Sequence, residues 1–494
     1  MELCDLTITD ASNGLHQKKF SSRELTNACL KRIESVDGKI NAFITTCADK
    51  AINNAEAADK RLSQNAEVSP LTGIPVAFKD NFSTEGIETT AGSNILKGFI
   101  PVHNATVVER VLQDGAVLIG KTNLDAFAHG SSTENSDFFV THNPWDVERV
   151  PGGSSGGSTA ALSSSECLFA FGSDTGGSVR QPAGFCNLVG LKPTYGLISR
   201  HGLIAMGSSV DCVGPITRTV EDCALVLNAI TGVDWHDSVT ADRKKISYTR
   251  NLDCSVKDLK IGLPKEYFSE GLDFEIKKVM STVIEEYKNL GASFIDVSLP
   301  HTPKALAIYY ILIPSEISAN LARHDGIRYH HSALDAEWGV KTVEEVYEKT
   351  RGNGFGDEAK RRIMLGTYAL SSGYYDAYYN TAMKVRTLVV REFEDVFKSV
   401  DCLLTPTSPT VPFKIGEKTS DPLTMYLADT YTVPASIAGI PALNIPAGFV
   451  QGLPVGAQLI GPQFSEERLL QLGHAYQNVT DWHKKRPQLE LSGR

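Results

Sequence analysis

Apolar residues recur at helical spacing near the start of the chain, where Leu25, Cys29 and Ile33 lie four apart behind the capping-box pair Ser21 and Glu24. An amphipathic helix is expected there. Residues 105–120 carry Val107, Val108, Val111 and Leu112 on one helical stripe, then a stop at Gly115, then a short buried strand at 116–119. The exchange of helical and strand periods returns around Ala160 to Phe171, and again at 261–264, 276–290 and 293–297. Helical patterns dominate about 305–397, including the tyrosine-rich 368–379, before strands at 402–405 and 455–460 and a helix at 466–476. Such alternation predicts an α/β architecture. Strand segments flank the helical insertion on both sides, so one continuous mixed sheet is expected rather than independent domains. The reading is a single domain over 1–494: an N-terminal helical region to 65, a core at 66–230, an exposed excursion at 231–260, and the rest of the sheet with its insertion at 261–494. No repeat of fixed period interrupts it.

Composition narrows the partners. With 494 residues, 42% apolar and 21% charged, a large core is readily buried. The net charge of -10 argues against a surface that tracks phosphates, because nucleic-acid affinity comes mostly from Lys and Arg displacing counterions. Any RNA is expected to be held mainly by a partner. Nine cysteines, scattered and never in C-x-x-C spacing, indicate neither a zinc site nor a disulfide framework, and fit a reducing compartment. The start lacks the basic and apolar regions of a signal peptide, and no apolar run reads as long enough to cross a bilayer. A cytoplasmic protein without a membrane contact is expected.

Chemistry concentrates in three segments. The run from Gly172 to Arg180 places Ser178 after Thr175, Gly176 and Gly177, whose backbone N–H groups could cradle an oxyanion. The loop from Pro151 to Ser158 holds a second serine, Ser154, and the apolar approach Pro75-Val-Ala-Phe78 ends in Lys79. A serine hydroxyl needs a base to take its proton as it attacks, and a lysine serves only when burial lowers its pKa toward neutrality. Asp80 is therefore expected to point away from Lys79, and Ser154 to relay a proton between Lys79 and Ser178. Rival patterns are weaker. Gly152 to Gly156 matches G-x-S-x-G by letters, but the preceding residues read as loop where that elbow requires a strand. Neither glycine loop carries a phosphate-binding fingerprint, and His330-His331 reads as solvent-facing, so no metal is expected.

The stretch from Gly152 to Ala183 resembles the hallmark of the amidase-signature family, G-G-S-S-G-G-S through G-S-D-T-G-G-S-[IV]-R-x-P-A, and the similarity extends through most of the chain. The resemblance implies a single large α/β/α sandwich around a mixed, mostly parallel sheet. It implies Ser178 as nucleophile, Ser154 as cis-serine relay and Lys79 as base. Within the family, the segments 123–136, 143–146, 354–366 and 425–431 are similar to the glutamine-hydrolysing A subunits of tRNA-dependent amidotransferases. That similarity implies ammonia passed to a B subunit, which uses ATP and Mg²⁺ to amidate Glu-tRNA(Gln) or Asp-tRNA(Asn), and a small C subunit bracing the pair. It implies no cofactor in this chain. Glutamine is a zwitterion, so its site needs an anion and a cation; Asp429 and Arg362 stand at the corresponding positions, with Tyr309, Gly130 and Ser131 completing the pocket. Arg361 is the competing cation. One departure is His129, where methionine is expected. The other readings are a stand-alone amidase for small or aryl amides, which needs no zwitterion pocket, and a non-catalytic scaffold, which needs no triad.

Overall fold

The computed structural model describes residues 2–64, 68–269, 271–335 and 338–489. Its frame is one eleven-stranded sheet built from β1 (Phe43–Thr46), β2 (Pro75–Lys79), β3 (Val117–Thr122), β4 (Phe169–Asp174), β5 (Val189–Lys192) and β6 (Cys212–Thr217), with β7 (Lys260–Pro264), β8 (Ser293–Val297), β9 (Cys402–Pro406), β10 (Ala442–Val450) and β11 (Leu453–Ile460). The strand order is β1-β3-β2-β4-β6-β5-β10-β11-β9-β7-β8, so both halves of the chain share one sheet. The neighbours β3-β2-β4 and β9-β7-β8 run parallel, whereas β1 pairs antiparallel with β3 and every pairing from β4-β6 through β11-β9 is antiparallel. The sheet is mixed as expected, but the mostly parallel arrangement is corrected: antiparallel strands fill its middle. One cause is local. Gln451 and Gly452, both left-handed, make a two-residue hairpin turn that sends β11 back along β10.

Side chains alternate across the sheet. In β9–β11, Leu404, Leu443 and Leu459 enter the larger core, while Leu403, Ala442 and Ile460 enter a second core on the opposite face. That second core is roofed by the helical insertion, where helices Ala305–Asn320 and Asp357–Leu370 pack together. Helices thus cover both faces. The expected capping box is formed, Ser21 Oγ accepting from Glu24 N while the Glu24 carboxylate accepts from Ser21 N at 2.8 Å.

Three further expectations change. The N-terminal region is not purely helical, because β1 joins the sheet edge; its expected boundary at 65–66 lies outside the described residues. Residues 231–259 form no helix or strand, yet the stretch is only partly an exposed excursion: Trp235 is 95% exposed, but Tyr248, Leu252 and Val256 enter the larger core. The helix Thr302–Arg323 has the length and apolarity to cross a membrane, contrary to the reading that no run does. Its half-buried surface is explained by packing, since Ile308, Leu312, Ile313 and Ile317 enter the second core.

Candidate active site

Lys79 ends β2, every residue of which is buried, so its side chain is carried inward by the strand itself. Its Nζ lies among hydroxyls, 2.7 Å from Ser154 Oγ and 3.0 Å from both Ser155 Oγ and Ser173 Oγ. Asp80, the next residue, faces away as expected: its carboxylate pairs with buried Lys121 at 2.9 Å and accepts from Thr90 N at 2.8 Å. Burial lowers the Lys79 pKa to about 7, against the opposing charges of Asp125, Asp174 and Asp211. At neutral pH the amine is therefore available as a base.

Ser154 follows a cis peptide bond at Gly153, and the helix Gly156–Ser163 begins two residues later. No strand precedes it, so the hydrolase-type elbow is not built. The Ser155 N–H donates to the Ser178 carbonyl at 3.2 Å, which lays the two serine loops side by side. Ser178 is 8% exposed, and its hydroxyl makes no hydrogen bond among the described residues. The N–H groups of Thr175, Gly176, Gly177 and Ser178 also have no partner among those residues, so this turn presents unspent donors beside the nucleophile candidate.

The turn is pinned by groups that the motif-level reading missed. Asp174 and Arg180 form a fully buried bidentate pair, with Arg180 Nε and Nη2 each 2.9 Å from a carboxylate oxygen. Burial works against the ionised Asp174 carboxyl, but Arg180 outweighs it and holds the pKa below the usual range. Thr175 donates to Asp211 at 2.7 Å, and Thr432 donates to the Gly176 carbonyl at 2.7 Å. Asp174 and Arg180 stand in the signature run itself, so their opposite charges six apart were a visible signal. Thr432, distant in sequence, left none. Asp125 was missed too: it accepts from Thr133 N at 2.8 Å and Asn135 N at 3.0 Å, folding the loop that bears Gly130 and Ser131.

The expected pocket residues converge. Ser131 Oγ donates a short hydrogen bond to Asp429 Oδ2, while Asp429 Oδ1 is buried without a partner among the described residues. A Cβ placed on Gly177 (φ +148°) would lie 3.3 Å from that oxygen, so Asp429 reaches the turn of residues 175–178. Burial raises its pKa to about 7 despite the Ser131 bond and the Arg362 charge. Tyr309 packs on the same turn, its ring 2.9 Å from where a Gly176 Cβ would be. Arg362 is buried against the rings of Tyr310 and Tyr426, its guanidinium carbon 5.3 and 5.6 Å from their centroids. Among the described residues only its Nε is bonded, to Glu358 at 2.8 Å, and Arg362 lines a cavity together with Gly130 and Ser131. Arg361 lines that cavity from outside, its half-exposed side chain closed onto Glu358. His129 is buried with both ring nitrogens unpartnered among the described residues, and burial together with Arg362 holds its pKa well below the usual range.

A sandwich of this kind with a buried lysine, paired serines and a free-donor turn defines an amidase. The chain belongs to the amidase family, whose model matches residues 24–470. It is 53% identical over 489 residues to the glutamyl-tRNA(Gln) amidotransferase A subunit of Dehalococcoides mccartyi, covering 99% of this chain and all of that one. The protein of the same name from Moorella thermoacetica is 53% identical over 492 residues, with both chains fully covered. Among solved structures, the glutamyl-tRNA(Gln) amidotransferase A subunit of Thermotoga maritima superposes with a TM-score of 0.80 at 40% identity, covering 97% of this chain and 96% of that one. A bacterial aryl acylamidase superposes with a TM-score of 0.83 at 26% identity, covering 97% of each chain.

Proposed function

We propose that this chain is the glutamine-hydrolysing subunit of a tRNA-dependent amidotransferase, which supplies ammonia for converting Glu-tRNA(Gln) to Gln-tRNA(Gln) and, with a partner that accepts it, Asp-tRNA(Asn) to Asn-tRNA(Asn). The observation that carries it is a buried lysine of pKa about 7 lying 2.7 Å from Ser154, beside the loop bearing Ser178, whose hydroxyl makes no hydrogen bond among the described residues. Lys79 takes the Ser154 proton as Ser154 takes that of Ser178, and Ser178 Oγ attacks the side-chain amide carbon. The two serine loops are already joined by the bond from Ser155 N to the Ser178 carbonyl at 3.2 Å, and contacts between catalytic groups commonly tighten only when substrate binds. The developing oxyanion is received by the N–H groups of Thr175, Gly176, Gly177 and Ser178, where one donor is typically worth ~2.7 to 4 kcal/mol. The relay then returns its proton to the nitrogen, ammonia leaves, and water activated by the same route releases glutamate from the ester.

The pocket supports glutamine over a small or aryl amide. Asp429 Oδ1 offers an unpaired anion for the α-ammonium, and the terminal nitrogens of Arg362 offer a planar fork for the α-carboxylate. Arg362 suits that role better than Arg361, because it is buried and held by two rings. The relatives' shared name supports a multi-subunit assembly. We assign the amidation step, with ATP and Mg²⁺, to a B subunit that also holds most of the tRNA, with a C subunit bracing the pair. The reading places the assembly in the cytoplasm. Ser178→Ala in the assembled enzyme is expected to abolish glutamine-dependent amidation and leave ammonia-dependent amidation nearly intact. Equal loss of both would sink the division into an ammonia-producing and an ammonia-using centre.

A further inference from the structure

Away from the amidase site, three histidines stack at the surface beside one carboxylate. The His201 ring lies 4.7 Å from that of His236, inclined 28°, and 5.3 Å from that of His103, inclined 27°. Asp234 is buried beneath them. Its Oδ2 accepts from Thr106 Oγ1 and Ser199 Oγ, each at 2.5 Å, and its Oδ1 accepts from His236 N at 2.9 Å and meets His236 Nδ1 at 3.1 Å. His201 Nδ1 approaches at 3.3 Å the Thr106 hydroxyl that donates to the Asp234 carboxylate.

We infer that His201, Asp234 and His236 form a site for a divalent transition-metal ion such as Zn²⁺, with His103 next to it in the stack. One ligand atom from each of the three lies within 4.8 Å of the others. Two ligands on one Zn²⁺ stand up to about 4 Å apart, given bonds of roughly 2.0–2.2 Å. Closing that gap requires the three groups to draw together by less than an ångström, and the His236 side chain is 72% exposed. Two imidazoles and a carboxylate are the donor set of a borderline ion, and ordinary solvent completes its coordination. The Thr106 and Ser199 hydroxyls orient the carboxylate from behind, as outer-shell partners do at metal sites. On coordination through Nδ1, the His236 ring proton moves to the outward nitrogen. The ion would clamp the loop after helix Val220–Ile230 to the segments bearing His201 and Thr106; Arg110, on the helix Thr106–Gln113, already ties that loop by donating to the Ile230 and Val233 carbonyls at 2.7 and 2.9 Å.

The test uses the full chain stripped with a chelator and then dialysed against Zn²⁺ alone, with Co²⁺ as the spectroscopic probe. One ion per chain and a Co²⁺ ligand-field spectrum are expected, together with a Zn²⁺-dependent rise in Tm. His201→Ala and His236→Ala should each weaken binding at least about tenfold and cancel the rise, as loss of a ligand does more than loss of an outer-shell partner. His330→Ala should change nothing. Failure of the stripped chain to take up Zn²⁺, or retention of the ion by a His201→Ala/His236→Ala double variant, would overturn the site. Glutamine hydrolysis is a separate readout, since none of these residues touches the amidase pocket.

Discussion

Burial lowers the pKa of Lys79 and raises that of Asp429 to the same place, and in the proposed mechanism both must be deprotonated to work. Lys79 is a base only when neutral, hence above about 7; Asp429 can hold an ammonium only when ionised, also above about 7. Both requirements fail as pH falls. Since kcat/KM reports the free enzyme, its acid limb should fall with a two-proton slope below pH about 7. In the bound state the substrate ammonium holds Asp429 ionised, so kcat should fall with a one-proton slope. Asp429→Asn should raise the KM for glutamine steeply and reduce the kcat/KM limb to one proton. A two-proton limb that survives in the variant would remove Asp429 from the pocket. The stability sign is separate: the Lys79 pKa is lowered from 10.5, so its unfavourable burial weakens the fold as pH falls from above 10.5 toward 7 and adds no further dependence below.

At the scale of elements, the pocket depends on how closely two helices approach. Asp357–Leu370 carries Arg362 and Ala305–Asn320 carries Tyr309, and they meet where Gly366 lies against Pro314. A Cβ at Gly366 would stand 1.8 Å from the Pro314 carbonyl oxygen, an overlap that only separation of the helices relieves. Gly366→Ala should therefore raise the glutamine KM by about tenfold or more, the order expected when a binding group is misplaced by about an ångström. Ammonia-dependent amidation by the assembled enzyme should be spared, and an unchanged KM would show that the gap is not needed. Elements with clean periods were legible in the sequence, such as Ser22–Ile40 with its capping box, and β4 after Gly156–Ser163. β5, β6 and β10 were not: like β4 they are buried and show no polar alternation, but they lack an unbroken apolar run such as Phe169-Ala-Phe171. Glycine and proline also break their apolar runs, as at Gly214-Pro215 and Pro446. The tyrosine-rich stretch reads as helical and is divided, with an α-helix ending at Leu370, Gly373 in a left-handed conformation and a π-turn at Asp376–Asn380. Of the proposed triad, Ser154 and Ser178 were legible because they lie in short glycine-serine runs, and Lys79 because it ends an apolar strand-like run. The supports for those runs come from chain segments whose contacts only folding creates.

Across the whole molecule, one side chain joins those segments. Arg180 holds Asp174 at the end of β4, the Thr432 carbonyl at 2.9 Å, Ser436 Oγ at 2.9 Å and Gln458 Oε1 of β11 at 2.7 Å. It thereby fixes the oxyanion turn to the segment bearing Asp429 and to the far half of the sheet. Removing one partner of a buried ion pair leaves the other charge uncompensated, so Arg180→Ala should lower stability by about 3–5 kcal/mol, read from the denaturant midpoint. That result alone would not separate a structural role from a positioning one. Replacing both charges with apolar residues of similar volume, as in Asp174→Leu/Arg180→Met, removes the orphaned charge and should recover much of the stability. Glutamine hydrolysis should stay lost, because the N–H groups of the turn and the Asp429 segment would no longer share an anchor. Recovery of both stability and hydrolysis in the double variant would show that the turn holds its shape without the pair.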